Sequence, residues 1–198
     1  MSRKSAVRTS LLSLLGLVLV GVLGCSGTSS MQEIADNSGW FHVRVPAKWQ
    51  ATANEDTILI VAEKTLPTGE DDAFDSLSMQ IYVSEKAGPA TVAKSLPALV
   101  RARAASKEWS NVKLSAPAKI DIGKRDAWAV DVSATDSKKR DFSGRIALVR
   151  TNDRDALIVA LAPRDVWEKS GDKAIANLYT EWYWHEPASS QSTSTPTP

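Results

Sequence analysis

The sequence holds a single cysteine, Cys25, so no intramolecular disulfide can form and stability has to come from a hydrophobic core. Histidine is nearly as scarce, with His42 and His185 the two imidazoles in 198 residues. There is no G-x-S-x-G, no C-x-x-C, no H-E-x-x-H and no phosphate-cradling glycine loop, so the motif-bearing hydrolases, thiol redox proteins, zinc peptidases and nucleotide binders have no signature here. No cofactor is implied, although a site built from ordinary carboxylates would leave no motif. A strong charge of one sign is missing too. The formal charge is +1, and it becomes −2 without residues 1–24, which hold three basic residues and no acidic one. That balance leaves no basic face for nucleic acid.

What the chain does have is the stretch LLSLLGLVLVGVLGCSG, residues 11–27. Arg3, Lys4 and Arg8 precede an apolar run from Leu11 to Leu23, the layout of a secretory signal. A spanning helix needs about 20 apolar residues, and Ser26, Gly27 and Thr28 end this run first. Val22-Leu23-Gly24-Cys25 resembles the bacterial lipobox, which implies cleavage between Gly24 and Cys25 and acylation of the Cys25 thiol. Each buried methylene contributes about 0.8 kcal/mol, so several acyl chains hold a domain on a membrane where one does not. Cys25 then is an anchor rather than a nucleophile. Ser26, where aspartate would retain the protein at the inner membrane, implies the outer membrane facing the periplasm in a cell that has one. In a cell without one, the outer face of the plasma membrane is expected.

After the signal, residues 25–38 are short-sided and polar and read as a flexible tether, residues 39–187 as the folded domain, and residues 188–198 as a disordered Ser/Thr/Pro tail. Within the domain, WFHVRV alternates Phe41, Val43 and Val45 against Trp40, His42 and Arg44, the pattern of a half-buried strand ended by Pro46. Strands are also predicted from Thr57, Leu77, Ala118, Ala127, Phe142 and Ala156, the last four joined by polar connections of hairpin length into an antiparallel meander. A helix carrying Val92, Leu96, Leu99 and Val100 is expected to start near Ser95 or to kink at Pro97. A closing helix is predicted from an Asp165–Glu168 capping box, with a weak point at Ser170-Gly171 and a stripe of Ile175, Leu178, Tyr179 and Trp182.

Strands, a helix, a meander and a closing helix make an α+β pattern, an antiparallel sheet covered by helices. The segment GWFHVRVPAKW, residues 39–49, resembles the opening of PsbP-like domains: a Gly-aromatic strand, a proline, then a tryptophan. The order of elements to Trp184 is similar as well. The resemblance implies an α/β/α sandwich, the fold shared with a Ran-binding nuclear import factor and many small bacterial lipoproteins. It carries over no functional residue. A cystatin-like sheet-and-helix fold is the alternative.

The remaining candidates divide between sites and surface. His42 in the outward register of a strand and His185 at a helix end read as solvated. Ser110 and Lys113 satisfy Ser-x-x-Lys, yet Ser110 follows a helix instead of starting one. Glu70, Asp71, Asp72 and Asp75 gather carboxylates without the spacing of a calcium loop, so a solvated loop is expected and no metal. Lys138, Lys139, Arg140 and Arg145 surround a hairpin that reads as a charged turn, with contact to lipid headgroups as the functional reading. In TEWYWH, Trp182 joins the helical stripe while Trp184 points away from Ile175. Either the helix frays and Trp184 folds back, or Trp184 stays exposed and forms a partner contact with Tyr183. The chain thus reads as a membrane-anchored, non-catalytic binding or envelope-assembly lipoprotein with an envelope protein as partner. An envelope hydrolase with an unrecognised site and a small-ligand carrier are the alternatives.

Overall fold

The structure, a computed structural model, describes residues 30–54, 57–62, 75–85, 91–151 and 154–185. The chain opens with β1 (Met31–Ala35), β2 (Phe41–Pro46), β3 (Gln50–Ala53), β4 (Thr57–Val61) and β5 (Ser78–Glu85). After α1 (Val92–Ser106) come β6 (Ser110–Leu114), β7 (Ala118–Ile122), β8 (Arg125–Thr135), β9 (Asp141–Arg150) and β10 (Arg154–Pro163). Then α2 (Arg164–Val166), a π-helical turn (Trp167–Gly171) and α3 (Asp172–Thr180) lead into β11 (Trp182–Trp184). The signal segment, Cys25, the acidic residues Glu70, Asp71 and Asp72, and the Ser/Thr/Pro tail lie outside the described residues.

Two antiparallel sheets result. The main sheet runs β3-β4-β5-β10-β9-β8-β6, with β7 also paired to β8, and the small sheet runs β1-β2-β11. Strands β6 and β7 share one edge of β8, β6 along Val132 to Thr135 and β7 along Arg125 to Ala129. At their junction Ser115 donates its N–H to the Asp131 carbonyl at 3.0 Å, and its Oγ accepts the Asp131 N–H at 2.9 Å. The expected meander is present as β7-β8-β9-β10.

Period two sorts the long strands onto two faces. One face of the main sheet is rich in alanine, at 127, 129, 147, 156, 160 and 162, and it receives the small sheet and α3. Small side chains there make room for Trp40, Phe41, Tyr179 and Trp182, so rings and methyls interdigitate at interior density. The other face carries Val130, Val132, Ile146, Leu148, Val159 and Leu161 under α1. The layers are therefore α1, main sheet, then small sheet with α3. Val130→Ala removes two methyl groups from the second core, and we expect a loss of about 1–3 kcal/mol by denaturant melting; an unchanged midpoint would contradict this packing.

Several sequence expectations need correction. The stretch taken as tether contains β1, which pairs with β2 from Met31↔Pro46 to Ala35↔His42. Its pairing is through backbone, with Ile34 as the inward apolar contact, so MQEIA carries little periodicity. The turn into β2 is held by buried Asp36, whose carboxylate accepts the N–H groups of Phe41 at 2.9 Å and Ser38 at 3.1 Å. Helix α1 starts at Val92 and continues through Pro97, and it buries the single i, i+4 row Leu96, Val100 and Ala104. Leu99, expected on that stripe, is 41% exposed, because a helix lying on one sheet face buries a narrow row. No side chain caps α2: the chain passes into it directly from Pro163, so Asp165 sits within the helix rather than ahead of it. The weak point at Ser170-Gly171 is the end of the π-helical turn, where a β-carbon on Gly171 would lie 3.0 Å from the Trp167 ring.

Candidate functional site

The C-terminal aromatic run forms a strand rather than the end of a helix, since α3 stops at Thr180. Aromatic residues suit a pleated strand, and alternation sends Trp182 and Trp184 inward and Tyr183 outward. Trp184, expected as a possible partner contact, is packed: its Nε1 donates to the Ile122 carbonyl at 2.7 Å, and its ring lies 5.0 Å from Trp40 and 5.4 Å from Trp182. The Arg125 guanidinium covers the same ring at 5.5 Å. Trp184 packs back onto the domain as an inward residue of β11, not from a frayed helix end.

Tyr183 is different. It is 42% exposed, and on the outer face of the small sheet it stacks on His42, with ring centroids 4.8 Å apart and planes 18° from parallel. His42 Nδ1 in turn meets His185 Nε2 at 2.8 Å, and the Glu33 carboxylate lies 3.7 Å from His42 Nε2. The two imidazoles, 143 positions apart, meet because β11 pairs with β2 and places Tyr183 opposite His42. A histidine–histidine bond needs one ring to donate and the other to accept, so the pair holds one proton between the facing nitrogens. Arg44 and Glu181, 3.4 Å apart, continue the face. The patch offers one exposed tyrosine ring beside a half-buried imidazole with charged neighbours, residue types found at protein contacts. Sequence reading left both histidines as separate solvated residues; the missing signal was the β2–β11 register.

A second feature lies on the alanine-rich face of the main sheet, where β8 and β9 run out beyond the cover of the small sheet. An open groove of about 600 Å³ is bounded by β6, β8, β9 and the π-helical turn. Arg145 sits in it, donating through Nε to Asp131 at 2.8 Å and pairing through Nη1 with Asp172 at 3.0 Å. Burial opposes the charge on Arg145, but the two carboxylates outweigh it and raise its pKa above the ordinary value. The neighbouring Tyr179 hydroxyl is wholly buried and has no hydrogen-bond partner among the described residues, and burial pushes its pKa well up, so it stays neutral.

No protein-family model matches the chain, and no curated protein matches its sequence. Solved structures do match. A cyanobacterial PsbP (CyanoP) from Synechocystis is similar over 83% of this chain and 98% of its own, at 12% identity and a TM-score of 0.56. The Saccharomyces cerevisiae Ran-binding protein Mog1p is similar over 79% of this chain and 96% of its own, at 9% identity and a TM-score of 0.56. The fold is PsbP-like. LpqN, involved in cell envelope biogenesis of Mycobacterium tuberculosis, has it too, at 14% identity, a TM-score of 0.54, and coverage of 79% and 91%.

The remaining sequence candidates take structural places in the PsbP-like domain. Ser110 begins β6 and its hydroxyl donates to the Thr135 carbonyl at 3.4 Å. The basic hairpin divides. Lys138 and Lys139 lie exposed in the β8–β9 turn, whereas Arg140 pairs with Asp136 at 2.7 Å and with Asp75, the described member of the acidic run. Burial opposes the Asp136 charge, yet the Arg140 backbone N–H and guanidinium overcome it and hold the carboxyl below its ordinary pKa. Arg145 belongs to the groove, not the hairpin. Among the described residues no cluster of three metal-ligating side chains forms.

Proposed function

We propose that this chain is a bacterial lipoprotein, anchored through acylated Cys25 after cleavage behind Gly24, whose PsbP-like domain binds an envelope protein without catalysing a reaction. The observation that carries this reading is the exposed Tyr183 ring, stacked on His42, on the outer face of the small sheet. Tyrosine in such a setting is the residue type that dominates binding hot spots. The envelope role of the similar LpqN supports the same compartment. The location that follows is the outer membrane facing the periplasm, or the outer face of the plasma membrane in a cell with one membrane. Nothing in this reading needs nucleic acid or a cofactor.

Strand β1 starts at Met31, so six peptide steps separate it from Cys25, a reach of at most about 20 Å. The small sheet and its outer face are therefore held close to the lipid surface, and the partner is itself membrane-associated. The hydrolase alternative has less support, because Arg145, Asp131 and Asp172 in the open groove satisfy one another.

Two expected results test the reading. Cys25→Ala abolishes lipid labelling and lipoprotein-type processing in cells; retained labelling would contradict the anchor. Tyr183→Ala leaves the melting temperature unchanged and removes the proteins that co-purify with the wild type, whereas Trp184→Ala lowers the melting temperature. Retention of all partners by a folded Tyr183→Ala variant would contradict the contact.

A further inference from the structure

The groove at Arg145 shares no residue with the Tyr183 face, and its lining has a chemistry of its own. Lys113 and Arg145 oppose Asp131, Glu168 and Asp172, so an anion and a cation alike would meet repulsion from part of the wall. What such a mixed wall suits is an uncharged molecule dense in hydroxyl groups, each able to donate to a carboxylate and accept from a cation. Ser133 and Ser143 stand opposite each other across β8 and β9 on the groove floor, and neither hydroxyl is hydrogen-bonded within the described residues. Trp167, 9% exposed, borders the groove from the core side and adds apolar surface there.

The geometry also fixes these groups in advance. Arg145 is clamped between Asp131 on β8 and Asp172 at the start of α3, which orders all three side chains before any ligand arrives. Behind the groove lining, the buried Tyr179 hydroxyl, with no hydrogen-bond partner among the described residues, lies near the charges of Arg145, Asp131 and Asp172. A volume of about 600 Å³ falls in the range of small-molecule sites.

We propose that this groove binds a neutral polyhydroxylated ligand, a short glycan segment. The seated sugar takes hydrogen bonds from Ser133, Ser143 and Lys113 and gives them to Glu168. Because the ligand is uncharged, its affinity hardly changes with ionic strength.

The test titrates the full chain with two probes, maltotetraose and the tetrasaccharide of N-acetylglucosamine, by calorimetry, with hydrogen exchange to locate binding. At least one probe is expected to bind saturably, with protection confined to residues 110–115, 131–133, 143–145 and 164–172. Ser133→Ala with Ser143→Ala is expected to weaken it about tenfold or more without lowering the melting temperature. Glu168→Gln, at an exposed position, provides a second variant that keeps the fold and is expected to weaken binding as well. The proposal is overturned if neither probe binds at millimolar concentration, if protection falls elsewhere, or if inorganic phosphate gives the groove signal and raised salt abolishes it.

Discussion

Gly123→Ala is expected to lower the melting temperature by about 6–12 °C, corresponding to about 3 kcal/mol or more in a domain of this size. Gly123 and Lys124 form the two-residue turn between β7 and β8, at φ +58° and +65°, the left-handed pair of a type I′ hairpin. An alanine there carries about 1–2 kcal/mol of backbone strain before any contact is counted. The contacts add more. A β-carbon would sit 2.3 Å from the Trp182 carbonyl oxygen and 2.9 Å from Trp184 Nε1, and one of these obstacles is backbone. The same turn is bonded on both sides, by the Gly123 N–H to the Tyr179 carbonyl at 2.8 Å and by Trp184 Nε1 to the Ile122 carbonyl at 2.7 Å. Thermal melting followed by circular dichroism reads the change directly. An unaltered melting temperature would mean that the hairpin does not seat the closing strand.

Trp182→Ala is expected to cost about 3–5 kcal/mol, as large aromatic truncations in a core do. Trp182 is 2% exposed, its ring lies 4.8 Å from Phe41 and 5.4 Å from Trp184, and its backbone pairs with Val43. Its indole N–H, however, is buried with no hydrogen-bond partner among the described residues. Trp182→Phe therefore removes an unsatisfied donor along with some packing, and the two effects offset, because such a donor costs about 1–3 kcal/mol. Denaturant unfolding should place Phe near the wild type and Ala far below it. Equal losses for both variants would show that the indole N–H is satisfied in solution.

The parts of this fold that could be read from sequence are those where side-chain alternation decides which face is buried. Phe41, Val43 and Val45 in β2 fall into this class and are in the core, whereas β9 and β10 were legible as apolar runs and are buried on both faces. The segment from Gly39 to Trp49 also pointed to a PsbP-like domain, and its Trp40, Phe41 and Trp49 are buried. Strands β1, β3 and β6 escaped notice because their sequences, MQEIA, QATA and SNVKL, contribute backbone pairing at sheet edges rather than a buried face. Three aromatics in a row at 182–184 fit a helix stripe at one position and a strand at all three, and tertiary pairing with β2 settled it. The candidate site was legible only in part. Trp184 stood out as the aromatic that a helix stripe could not absorb, with Tyr183 as its companion, and the strand reverses their places by packing Trp184 and exposing Tyr183; the meeting of His42, His185 and Glu33 depends on strand registers that span the whole domain.

The central claim is that the Tyr183 face docks a membrane-associated protein. It is tested most directly by placing a photo-crosslinking amino acid at position 183 in the full-length chain in intact cells and identifying the adducts by mass spectrometry. Position 99, exposed on α1 in the opposite layer, serves as the control. The account predicts a discrete adduct with one envelope protein from position 183 and none of it from position 99. The same adducts from both positions, or none from position 183 in a correctly folded and processed protein, would contradict it.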